Sequence, residues 1–198
     1  MKKIMFNDRY GLTKAVLEGK KTQTRRVVPK DFFSLNLDVK ERTLVYENDF
    51  GDFVDIRNSK YALFHVGEIV AVAQKYNDCG GVLENGIPRW KYISKIVGNT
   101  SGGWTNKMFV KPELMPHQIR ITDLRVERLQ DISDDDCLKE GIAPMIVGCE
   151  YYVFSFIDKE KGRFLDYKTP REAYAALIDK VSGKGTWDKN PYVFVYDF

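Results

Sequence analysis

Gly19-Lys20-Lys21-Thr22-Gln23-Thr24-Arg25-Arg26 is the junction between two different patterns, and the fold is read outward from it. Upstream, Leu12, Ala15 and Val16 recur at the three-and-four spacing of a short helix, which Asn7 or Asp8 is expected to cap and Gly19 to stop. Lys2 to Phe6 reads as a strand before that helix. Downstream, Thr22 to Val28 is β-prone and Pro29 ends it, because proline has no donor for a ladder. The junction is also the densest basic segment. Lys14, Lys20, Lys21, Arg25, Arg26 and Lys30 face the single acid Glu18. Folded as a helix-to-strand turn, its amides, ammonium groups and guanidinium forks converge on a phosphate or a carbonyl-bearing ligand; otherwise it is a solvated basic face.

Further along, short β-prone runs at Thr43 to Tyr46 and Phe53 to Ile56 predict a hairpin around Asn48 to Gly51. Glu68 to Tyr76 reads as a strand whose alternation puts Val70, Val72, Gln74 and Tyr76 on one face. Residues 77–116, rich in Gly, Asn, Pro and isolated aromatics, read as a long insertion with little regular structure. From His117 to Leu129 the alternation shifts phase, which predicts a bulge near Thr122-Asp123 in one long curved strand. Ser133 with Asp136 is a capping box. Asp134, Asp135 and Asp136 suit its first turn better than a metal, since consecutive side chains diverge around a helix. Tyr151 to Phe156 and Arg163 to Tyr167 form a hairpin. Thr169-Pro170-Arg171-Glu172 opens a helix with Tyr174, Leu177, Ile178 and Val181 as its buried stripe, and Tyr192 to Phe198 is a buried final strand.

The 198 residues predict one α+β domain, mostly β, with 43% hydrophobic residues to form its core. A net charge of +3 does not demand a polyanion and argues against tight non-specific binding to long nucleic acid. No run is apolar enough for a membrane helix, and the N-terminus turns polar before a secretory segment is complete, so a cytoplasmic protein with no membrane partner is expected. Cys79, Cys137 and Cys149 are odd in number and widely spaced, as reduced thiols are. Without Cys-x-x-Cys or His-x-x-x-His spacing, neither a metal nor a cofactor is expected.

Gly19, Lys21 and Arg26 match the Gly-x-Lys-x-x-x-x-Arg motif of the ASCH family, and several flanking segments also resemble bacterial and prophage members. Among them are Val66-Gly67-Glu68, Glu140-Gly141-Ile142, Thr169-Pro170-Arg171-Glu172-Ala173 and Gly185-Thr186-Trp187-Asp188. The resemblance spans most of the chain and implies a PUA-like pseudo-β-barrel whose groove takes RNA or a modified nucleoside. It also implies, from small amidohydrolases of the family that deacylate N4-acetylcytidine, a threonine nucleophile at Thr24, a lysine base at Lys21 and a later strand-end glutamate. That last place is assigned here to Gln74, which hydrogen-bonds but does not shuttle protons. On a regular strand residues three apart face opposite ways, so pairing Lys21 with Thr24 requires Lys21 to lie in the turn.

The expected function is therefore a binding module for RNA or a modified nucleoside. In it Lys21, Arg25 and Arg26 meet the ligand, Thr24 and Gln74 give directional hydrogen bonds, and Tyr76, Arg89 and Trp90 stack or clamp bases. The alternatives are a metal-free amidohydrolase on N4-acylated cytidine and an interaction protein of a mobile element with a vestigial pocket. Plain packing accounts for Gln74 and the insertion's aromatics equally well.

Overall fold

The computed structural model describes residues 1–29, 37–40, 43–47, 50–83, 85–148 and 151–198. It is a mixed α/β fold, mostly β, with four three-stranded sheets among the described residues. The first joins β1 (Lys2–Ile4), β6 (Ile69–Val72) and β7 (Gln118–Arg120), with β1 parallel to β6. The second places β12 (Tyr192–Asp197) between β2 (Gln23–Val27) and β8 (Asp123–Arg128), all antiparallel. A meander of β3 (Leu37–Lys40), β4 (Thr43–Glu47) and β5 (Phe53–Asp55) contains the predicted hairpin; residues 48 and 49 of its turn lie outside the described residues. The fourth sheet sets β10 (Tyr151–Asp158) between β9 (Ala143–Val147) and β11 (Arg163–Tyr167). Among the described residues no helix is long and apolar enough to cross a membrane.

The main core gathers Ile4, Val70 and Val72 from the first sheet and Leu124, Val193 and Val195 from the second. Against these pack α1 (Leu12–Leu17) and α4 (Pro170–Ser182). The start of α4 follows its sequence: Thr169 accepts a hydrogen bond from the Glu172 amide, and Glu172 accepts one from the Lys168 amide. Gly183, at φ 107°, releases the chain from the helix. In α3 (Asp134–Lys139) Ser133 caps the Asp136 amide as its sequence predicts.

Four expectations need correction. The N-cap of α1 is Gly11, and Asn7 instead accepts from the Arg9 and Tyr10 amides in the turn ahead of it. The strand beginning at Ile69 stops at Val72. There the Ala73 amide bonds Ile4 and the Gln74 amide turns to the Met115 sulfur, so Gln74 and Tyr76 do not continue the valine face. The stretch 117–129 is two strands in different sheets rather than one bulged strand: Ile121 bonds Glu68, just ahead of β6 in the first sheet, and Thr122 bonds Asp197 of the second, so the phase shift marks a corner. The insertion is more regular than its composition suggests. It holds α2 (Arg89–Val97), which lacks a side-chain cap, and a separate core of Tyr76, Cys79, Ile93, Val110 and Met115.

Candidate functional site

Lys21 lies before β2, outside the strand, and its ammonium is fully enclosed. All three of its protons are donated: to Glu140 Oε2 at 2.5 Å, to the Glu140 carbonyl at 2.8 Å and to the Gln23 carbonyl at 2.7 Å. Burial pushes its pKa down while the Glu140 carboxylate resists, and Arg26 and Arg25 add to the lowering. Glu140 is the C-cap of α3, an unfavourable place for a carboxylate beside a helix's negative end. Its position is explained by its tertiary partners.

Arg25 points to the other side of the same cluster. Its guanidinium reaches Glu127 at 2.6 Å, Asp136 at 3.1 Å and Glu140 at 3.2 Å, and also donates to Gln23. Burial opposes its charge, but Glu140 and Glu127 more than offset this and hold it above the usual arginine range. Arg125 extends the network to Asp136 at 2.8 Å and Asp197 at 2.5 Å. Burial works against the Asp136 carboxylate, yet Arg25 and Arg125 hold its pKa below the ordinary 3.8. A carboxyl with a depressed folded-state pKa stabilises the fold above its unfolded value, and that contribution is lost as pH falls through the folded one. Asp136→Asn should therefore destabilise at about pH 7 and approach the parent at an acid pH below the folded-state value of Asp136, where both side chains are neutral. Urea unfolding at the two pH values measures the convergence.

Above this cluster a pocket of about 660 Å³ opens between β2 and α4. Lys21, Thr24, Arg25 and Glu140 line its polar side, with the ring of Tyr174 beside them. Leu177, Ile178 and Val181 form an aliphatic wall, and Arg26, Arg128 and Lys189 contribute cations. Arg26 donates to the Met5 carbonyl at 2.7 Å and has no carboxylate partner among the described residues. Arg128 stacks 3.9 Å from the Tyr192 ring centre. The Tyr174 ring lies 5.9 Å from the Arg25 guanidinium, and its hydroxyl is buried without a hydrogen bond among the described residues. Burial, then Glu140, pushes that phenol well above its usual pKa, so it stays a neutral donor.

The predicted site residues separate into two groups. Lys21, Thr24, Arg25 and Arg26 come together in this pocket, although Lys21 and Arg25 are occupied by carboxylates, leaving Arg26 with free donors. Gln74 is buried in a different hollow, beside Asp8, Thr13, Lys75 and Asp78, with its side-chain oxygen unpaired among the described residues. Tyr76 is fully buried under Gly103 and Trp104, and its hydroxyl accepts from the Lys111 amide. Arg89 borders a shallow hollow with Val82, Leu83 and Asn85, while Trp90 is exposed on α2. The sequence reading missed Glu140, whose signal was a carboxylate at a helix C-terminus, and the pocket-facing role of Tyr174. The described cysteines are buried, their thiols pushed up to about 11 at Cys79 and about 12 at Cys137, so neither is a ready nucleophile at neutral pH. No group of His, Cys, Asp or Glu arranged to hold a metal occurs among the described residues. Compared with family models, curated proteins and solved structures, the chain matches none.

Proposed function

We propose that this pocket binds a modified nucleoside, free or within a short RNA, on a PUA-like pseudo-barrel of the kind the ASCH resemblance implies. The observation that carries the reading is the pocket's composition. One aliphatic wall faces one polar wall in a volume of about 660 Å³, within the range of small-molecule sites, and Arg26, Arg128 and Lys189 are available to a phosphate or ribose. A base requires an apolar surface for its face and hydrogen-bonding groups for its edge, and the two walls supply these.

A second reading, hydrolysis of an N4-acyl cytidine, is favoured by the Glu140 carboxylate on Lys21 in a pocket that Thr24 shares. Hydrolysis requires that the Lys21 amine, once a proton has passed along the 2.5 Å bond to Glu140, turn its lone pair from Glu140 to Thr24 and accept the hydroxyl proton while that oxygen attacks the acyl carbonyl. The proton moves on to the leaving exocyclic nitrogen, giving cytidine and an acyl-threonine that water hydrolyses. In this reading Glu140 supplies the carboxylate that the family resemblance implies and that Gln74 lacks.

Incubation with N4-acetylcytidine, with chromatographic detection of cytidine and calorimetric detection of binding, tests both readings. Cytidine released by the parent, and on the order of 10³-fold or more slowly by Thr24→Ala, establishes hydrolysis. Saturable binding without cytidine supports the binding module alone, and neither signal overturns both.

A further inference from the structure

Among the described residues β2 is an edge strand, paired with β12 on one side only. Directly opposite residues in an antiparallel pair alternate between those that exchange backbone hydrogen bonds and those that do not. The Val28 amide bonds Tyr192, and the Phe198 amide bonds Thr22, so the even-numbered residues of this strand face β12. Gln23, Arg25 and Val27 therefore turn their N–H and C=O groups outward, and the Gln23 carbonyl accepts Lys21 on that side. The pocket is lined by residues 24–28 without a break, so residues from both faces of the strand border it and it is the strand's edge that the cavity meets. Among the described residues, the backbone N–H and C=O of Arg25 and Val27 have no partner.

We infer that this edge reads the hydrogen-bonding edge of the ligand's base, with the Arg25 C=O as acceptor and the Val27 N–H as donor. The inference rests on the nucleoside reading and specifies what the base must present. An N–H donor beside a ring-nitrogen or carbonyl acceptor, the pattern of a cytosine edge, is complementary to an acceptor and a donor that follow one another along the strand. A ligand that shuts water away from these backbone groups without matching them is disfavoured, which selects against one lacking that pair. A bound nucleoside fits the limited cavity; an extended peptide needs an edge open at both ends.

Proline at 27 removes the donor alone, since an edge strand tolerates proline where its N–H is not in the ladder, and the Val27 side chain is 41% exposed. Binding of cytidine and N4-acetylcytidine is measured by calorimetry for the parent, Val27→Pro and Val27→Ala. The expected result is about tenfold or greater loss of affinity in Val27→Pro relative to Val27→Ala, which also loses the valine side chain but keeps the N–H. Equal affinity in all three, or equal loss in both variants, overturns the inference while leaving the nucleoside reading standing. A parent that binds neither compound removes the nucleoside reading and this one with it. Should Val27→Pro fail to fold, amide exchange in the parent decides the question. The Val27 amide is expected to exchange faster than that of Arg26 in the free protein and to slow on addition of either nucleoside. No slowing on saturation, or slowing caused only by an extended peptide, overturns it.

Discussion

Glu140→Ala is expected to destabilise the protein by about 3–5 kcal/mol, the range for removing one partner of a buried ion pair. The magnitude follows from what remains. Without the carboxylate, the enclosed Lys21 ammonium keeps the Gln23 and residue-140 carbonyls but no counter-charge. Lys21→Met should cost less, because Glu140 still has Arg25 at 3.2 Å. The double change Lys21→Met with Glu140→Gln should be milder than Glu140→Ala, since neither buried charge of the pair remains and Arg25 keeps Glu127 and Asp136. Glu140→Ala should also widen the pH dependence that the buried Lys21 already gives the parent. Burial already lowers the Lys21 pKa, and loss of Glu140 lowers it further. With the folded value below the unfolded 10.5, the folded state holds fewer protons between the two, so stability rises with pH across that window. Denaturant unfolding of the three variants at neutral and alkaline pH measures both effects. A Glu140→Ala protein as stable as the parent would show that Lys21 is already uncharged in the fold.

These effects depend on partners far apart in the chain, and that distance separates what was legible in the sequence from what was not. The cap and stripe of α4, the stop at Gly19 and the start of β2 are set by neighbours within a few residues, and each was read from them. Lys21 precedes the first strand residue, Gln23, for the same local reason. Lys21 and Glu140 are 119 positions apart, and the acids around Arg25 come from β8 and α3, so no local pattern distinguishes an inward ion cluster from a basic surface. Gln74 was misplaced because alternation was extended past Val72, where hydrogen bonds to Ile4 and Met115 redirect the chain. In α2, only Ile93 is fully buried, and the interleaved Trp90 and Tyr92 mask the spacing of four between Ile93 and Val97.

Gly103→Ala should open the insertion while leaving the pocket intact, at a cost of about 1–3 kcal/mol for overpacking. A Cβ at this position would lie 2.3 Å from Tyr76 Cε2 and 2.9 Å from two further ring atoms, so something must move. The ring has nowhere to go: it is fully buried, lies edge-on to Trp104 at 5.3 Å, and its hydroxyl is tied to the Lys111 amide. The clash therefore falls on the small core of Ile93, Val110 and Met115, which is distinct from the cluster that holds β2 and α4. Loss there is local, because cooperative units open with their own free energies. Among the tethers that join the insertion to the rest, Lys3 to the Val110 carbonyl and Lys107 to Asp8 lie outside the pocket, and Lys107 also holds the backbone carbonyl of Phe6, a residue of the pocket's rim. Amide exchange should accelerate across residues 89–97, with protease sensitivity appearing within 77–116, while exchange in β12 and nucleoside affinity stay at parental values. Accelerated exchange in β12 would instead show that the insertion's core supports the whole fold, and the pocket would then be expected to weaken with it.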